Sequence, residues 1–115
     1  MRSNIQVDIS NIPDRVEEFN REAQFLLSSE VLKDSNYYAP MDTGALISSS
    51  ERSSDFENGR LIWDTPYARR LYYNPQYKFS KDKNPNARGL WFEAAKAAFL
   101  PRWIMTLERL KRRSI

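Results

Sequence analysis

The side chains responsible for most protein chemistry are absent from this sequence. It contains no His and no Cys. The commonest general base, the commonest transition-metal ligand, the thiol nucleophile and any disulfide or zinc-ribbon framework are removed together. Carboxylates, lysines, arginines and tyrosines remain. Paired carboxylates can hydrolyse a glycosidic bond, and a Lys or Tyr can move a proton, but no carboxylate pair here has a convincing spacing. Three glycines in 115 residues form no phosphate-binding loop, and no cluster has metal-ligand spacing. The reading is a protein that is not an enzyme and holds no cofactor.

Three segments carry what chemical content is left. Pro40-Met41-Asp42-Thr43-Gly44-Ala45-Leu46 combines an extended approach, two helix-capping side chains and a glycine where the backbone turns; it reads as a helix-starting turn. Asp42 has no companion that would make it catalytic. Trp63-Asp64-Thr65-Pro66-Tyr67-Ala68 is either a binding surface or a pair of core aromatics beside a capped turn. Tyr72-Tyr73-Asn74-Pro75, followed by Tyr77 and Phe79 among Lys78, Lys81 and Lys83, has the make-up of a stacking platform for a single nucleic-acid strand. The same residues, with Arg88, suit a loop that orders against a neighbouring subunit.

The net charge of +3 conceals a polarity. Residues 1–68 hold six Lys/Arg and twelve Asp/Glu, a net of −6; residues 69–115 hold twelve and three, a net of +9. A basic half can meet nucleic acid. It can equally meet the acidic half of the next copy in a head-to-tail contact, or the two halves can be solvated faces without a partner.

The elements that must position these residues follow from periodicity. Ile5, Val7 and Ile9 alternate with polar residues, as in a half-buried strand. Ile12, Val16, Phe19, Ala23, Leu26 with Leu27, and Val31 form one stripe of a helix over residues 13–33, capped by Asn11, which should bury Val16, Phe19, Ala23 and Leu26. The turn formers of residues 32–36, polar from Lys33 on, then end it, and Pro40 keeps residues 37–39 extended. Gly44 opens a short helical turn over 44–49, capped by Asp42 or Thr43. Residues 50–56 and 60–64 flank Glu57-Asn58-Gly59, and Asn-Gly is the strongest short hairpin signal. Pro66 starts another short helix with Tyr67, Leu71 and Tyr72 on one side. Residues 74–88 fit no period, and a stretch of this length is expected to be mobile and functional. Residues 89–113 read as a helix through Trp91, Ala95, Ala98 with Phe99, Ile104 with Trp103, Leu107 and Leu110, broken or kinked at Pro101.

The whole is one domain, 1–115, of α+β class: a long N-terminal helix and a kinked C-terminal helix on a small antiparallel sheet. The N-terminus lacks an apolar secretory region and the longest apolar run is Ala97-Ala98-Phe99-Leu100, so a soluble, intracellularly made protein is expected.

Taken in order, three blocks resemble a known family. They are Pro40 to Leu46, then Ile62-Trp63-Asp64-Thr65-Pro66-Tyr67-Ala68-Arg69-Arg70-Leu71-Tyr72-Tyr73-Asn74-Pro75, then residues 79–93 from Phe79 to Glu93. The sequence resembles the minor capsid proteins of long-tailed phages and prophages of Gram-positive bacteria, and more distantly the head–tail joining (tail completion) proteins. It departs from them at residues 94–102, where an Ala-rich stretch with Pro101 replaces a lysine-rich helix. The resemblance implies a virion structural protein of the neck, assembled as a six-fold or twelve-fold ring. Its partners would be a portal-side adaptor or stopper and a tail terminator or tail tube, with double-stranded DNA passing through without specific binding and no membrane involved. Pro40, Asp42, Thr43, Gly44, Leu46, Trp63, Pro66 and Tyr67 would be architectural; Tyr72, Tyr73, Tyr77, Lys78, Phe79, Lys81, Lys83 and Arg88 would make the assembly contacts. Two other classes fit the residues themselves: a small basic nucleic-acid-binding protein, and a ribonuclease-type toxin working through Arg69 or Tyr73.

Overall fold

The computed structural model describes residues 4–10, 21–40, 44–74 and 84–113. Strand β1 (Ile5–Asp8) is followed by helices α1 (Arg21–Asn36) and α2 (Ala45–Ser53), a 3-10 turn (Phe56–Asn58), strand β2 (Arg60–Trp63), and helices α3 (Ala68–Tyr72) and α4 (Trp91–Arg113). The class is α+β, with the helices outweighing a two-stranded antiparallel sheet.

The sheet is not the hairpin that Asn58-Gly59 announces. β2 pairs with β1, Ile5 opposite Trp63 and Val7 opposite Leu61. Residues 50–53 belong to α2, and a single bridge between Asp55 and Arg60 is all that closes the local turn. The reason is burial. Leu61 and Trp63 present one apolar face, and Ile5 and Val7 match it, whereas the serines before the turn have nothing apolar to offer. Only Gly59 in this turn takes positive φ, at +72°, so a type I′ turn is not formed. A Cβ at Gly59 would come within 2.9 Å of the Ser10 amide nitrogen. The close approach lets the Gly59 carbonyl accept the Ile9 amide at 2.7 Å. Asp8 ends β1 by accepting the Ser10 amide and hydroxyl.

α1 buries Ala23, Leu27 and Val31 along one line. Leu26, expected in the core, is 42% exposed; it lies one residue, about 100°, away from the buried row. Val16 and Phe19, with the expected start of this helix, lie outside the described residues. The helix also runs on to Asn36 instead of ending near Lys33, because Asp34 and Asn36 are held by partners across the core, while the Ser35 hydroxyl donates back to the Val31 carbonyl within the helix. α2 begins after Gly44 at φ +82°; Asp42 and Thr43, the expected caps, lie outside the described residues. α4 is one unbroken helix through Pro101. The expected break does not occur, since Pro101 and Ala97 both sit on the exposed side, where water can solvate the carbonyl that loses its amide partner.

The core is built on tryptophans. The rings of Trp63 and Trp91 meet edge to face at 5.8 Å, and Tyr72 meets Trp91 the same way at 4.6 Å. Phe92 stacks on Trp103 at 6.1 Å. On the C-terminal helix Trp91, Ala95, Trp103, Leu107 and Leu110 are buried, while Ala98 and Ile104, expected inside, face outward.

The phase of α1 gives a direct test. Leu27→Ala should cost about 2–5 kcal/mol in urea unfolding, and Leu26→Ala less than about 1 kcal/mol. The reverse ranking would mean that the helix is turned the wrong way.

Candidate assembly surface and the polar framework beneath it

Two polar side chains near the end of α1 each capture an indole. Asn36 Oδ1 accepts the Trp63 Nε1 hydrogen at 2.8 Å, and its Nδ2 donates to Ser50 Oγ at 3.0 Å. Asp34 accepts the Trp103 Nε1 hydrogen at 2.7 Å and an Arg102 guanidinium hydrogen at 2.5 Å. Arg102 also lies 3.7 Å from Glu30 and stacks its guanidinium on Phe99 at 4.5 Å. Its own pKa is raised, chiefly by the hydrogen bond to Asp34.

The serines of α2 finish the sheet. The outer edge of β2 turns amides of Arg60, Ile62 and Asp64 away from β1, and each finds an acceptor. Asp55 O takes the first at 2.9 Å, Ser54 Oγ the second at 2.9 Å and Ser49 Oγ the third at 2.9 Å. Ser49 and Ser50 donate their own hydroxyl hydrogens to the Leu46 and Ile47 carbonyls, both at 2.6 Å. An open strand edge invites another chain; this edge is closed by side chains.

Residues 84–90 are strapped across the core, so the expected irregular segment is fixed at its second half. Asn84 Nδ2 donates to the Tyr37 and Ala39 carbonyls at 2.9 and 2.8 Å, and Asn84 Oδ1 accepts the Asn86 amide at 3.0 Å. The Arg88 amide reaches Tyr38 O, and the Leu90 amide reaches Tyr72 O, both at 2.9 Å. Leu90 holds φ +50°, a conformation that costs a non-glycine residue about 1–3 kcal/mol and persists where the surroundings over-determine it. The two Leu90–Tyr72 and Arg88–Tyr38 bonds root both ends of the 73–89 excursion on the same patch of core.

The expected contact residues separate accordingly. Tyr72 is 2% exposed. Its ring is packed on Trp91 and its hydroxyl donates to Glu93, so it belongs to the core and not to an outer surface. Tyr73 is 56% exposed, with Arg69 over its ring at 5.2 Å. Arg88 is exposed, its Nε donating to Gly89 O at 3.1 Å. Tyr77, Lys78, Phe79, Lys81 and Lys83 lie outside the described residues. Among the architectural residues Trp63 and Leu46 are buried, Tyr67, Gly44 and Pro40 are half-buried, and Pro66 is exposed. Sequence reasoning missed Asp34, Asn36, Asn84 and the serines of α2. The signal available was a density of small polar residues on segments that otherwise read as helix.

α1, α2 and the 3-10 turn also frame an open groove of about 630 Å3, lined by the apolar Leu32, Ile47 and Phe56 together with Lys33, Tyr37 and Glu51. Among the described residues no three His, Cys, Asp or Glu side chains are grouped to hold a metal ion, and no helix is long and apolar enough to cross a membrane.

These features define a small α+β protein in which polar side chains tie the elements to one another. The chain belongs to the minor capsid protein family, whose sequence model matches residues 3–111. It is a structural component of a virion. No curated protein and no solved structure matches it.

Two substitutions probe the framework. Asp34→Ala should destabilise the fold by about 1–3 kcal/mol, because the Trp103 indole hydrogen is left buried without an acceptor; an unchanged unfolding midpoint would show that Asp34 is dispensable. Burial, and then the hydrogen bond to Glu93, hold the Tyr72 phenol well above its ordinary pKa. With the folded value above the unfolded one, the stability it contributes is complete below about pH 10 and declines as pH rises beyond that. Unfolding midpoints from about pH 8 to about pH 11 should fall more steeply for the native chain than for Tyr72→Phe; parallel curves would contradict the assignment.

Proposed function

We propose that this protein is a neck component of a long-tailed phage. Six or twelve copies close into a ring between the portal side and the tail, and double-stranded DNA passes through without base-specific contact. The family supplies the virion role. The observation that carries the finer reading is the rooted excursion over residues 73–89. Its base is locked by core hydrogen bonds, while its sequence holds Tyr77 and Phe79 among Lys78, Lys81 and Lys83. An aromatic and basic stretch anchored this firmly is suited to reach a neighbour, where Tyr and Phe anchor contacts and lysines meet acidic side chains. Tyr73 and Arg88, exposed at its two roots, extend the same contact.

The experiment replaces Tyr77 and Phe79 by Ser, and Lys78, Lys81 and Lys83 by Glu, leaving the built-in Asn84 untouched. The variant should unfold at nearly the native midpoint yet yield filled heads without tails, scored by electron microscopy and infectivity. Infectious particles at normal yield would overturn the reading.

A further inference from the structure

The chain holds eight asparagines, and Asn58 is the one followed by glycine. In that pair the side-chain amide is open to attack by the backbone of the next residue, because Gly59 has no Cβ to stand in the way. The reaction is deamidation. The Gly59 amide nitrogen attacks Asn58 Cγ, the new C–N bond closes a five-membered cyclic imide, and the Cγ–Nδ2 bond breaks as ammonia leaves with the amide proton. Water then opens the imide at either carbonyl. One opening leaves aspartate at this position. The other leaves isoaspartate, with the main chain running through the former side chain and one carbon longer. Water enters, ammonia departs, and nothing is oxidised or reduced.

The fold puts the two reacting residues in different surroundings: Asn58 is exposed and Gly59 is buried. The leaving group is held, since Asn58 Nδ2 donates to Asp55 Oδ2 at 2.8 Å. The nucleophile is occupied, since the Gly59 amide donates to Phe56 O at 3.3 Å. Gly59 is also fixed in place. Its carbonyl accepts the Ile9 amide at 2.7 Å, and a Cβ on it would lie 2.9 Å from both Gln24 Nε2 and the Ser10 amide nitrogen. Asp55 and Arg60 close the turn by exchanging amide-to-carbonyl bonds at 2.8 and 2.9 Å. Closing the imide ring requires Asn58 to leave the 3-10 conformation of Phe56–Asn58, and that breaks the bonds holding both reacting groups.

We propose that Asn58-Gly59 is a deamidation site gated by the fold. The closed turn protects it, opening of the turn exposes it, and the modification then keeps the turn from closing again. The aspartate product sets a carboxylate where Asn58 donated to the Asp55 carboxylate, so a hydrogen bond is exchanged for a like-charge contact. The isoaspartate product lengthens the chain beside Gly59, which has no room to move. Either product loosens the Gly59–Ile9 bond at the end of the β1–β2 pairing. The site therefore records, covalently and irreversibly, that this end of the sheet has come apart, an event with its own opening free energy.

Peptide mapping of the full chain tests both the site and its gate. The protein is aged in mildly alkaline buffer with and without denaturing urea and then digested with trypsin. The peptide from Ser53 to Arg60, bounded by Arg52 and Arg60, is followed by mass spectrometry, with aspartate and isoaspartate forms separated by chromatography. In urea the peptide should convert to both forms. Without urea the conversion should run at least about tenfold slower, in the ratio set by the population of the open turn. Asn58→Asp, which builds the aspartate product directly, should unfold at a lower urea concentration than the native chain. Three results would each overturn the proposal. Equal rates with and without urea would show that the turn gives no protection. An unconverted peptide in urea would show that the pair does not react. An Asn58→Asp variant as stable as the native chain would show that the modified turn closes again.

Discussion

The structure depends on the last two turns of α1, where Asp34 and Asn36 each hold an indole hydrogen. Trp63 comes from the sheet and Trp103 from the C-terminal helix, so one helix end sets the positions of the two elements that pack around it. Neither tryptophan hydrogen can be buried cheaply without an acceptor, and neither acceptor can be buried without a donor. The pairing is therefore reciprocal: α1 extends to Asn36 because the tryptophans need it, and the tryptophans enter the core because α1 meets them. Arg102 closes the arrangement by neutralising Asp34 from the solvent side.

A second constraint follows from how little sheet there is. Two strands cannot stand alone, and β2 is held between β1 on one edge and the hydroxyls of Ser49 and Ser54 on the other. That outer edge is closed to strand addition. In the proposed assembly, contacts with other chains fall instead to the segment between Tyr72 and Leu90.

Much of this was legible in the sequence, and what was not has physical causes. The alternation of Ile5, Val7 and Ile9, the burial of Leu61 and Trp63, and the three-and-four spacing of α4 are local patterns, and each element formed. The end of α1 was misread because Asp34 and Asn36 are turn formers by local preference, while their partners lie far along the chain: Trp63 is 27 residues from Asn36 and Trp103 is 69 from Asp34. The hairpin failed for the same reason. Asn58-Gly59 is a local signal, and the matching apolar face of β1 outweighed it. Of the expected contact residues, Tyr72 is buried; an aromatic pair gives no sign of which ring turns inward. Asn84 was overlooked because its two carbonyl partners, on Tyr37 and Ala39, cannot be foreseen from a polar loop.

The family makes this chain a virion part, and the proposed function stands or falls on where its copies sit. The most direct measurement is electron cryomicroscopy of the assembled particle at a resolution that traces α1 and α4. The account predicts a six-fold or twelve-fold ring of this chain on the tail axis, between the portal and the tail tube. Copies distributed over the capsid shell, or a neck built without this chain, would contradict it.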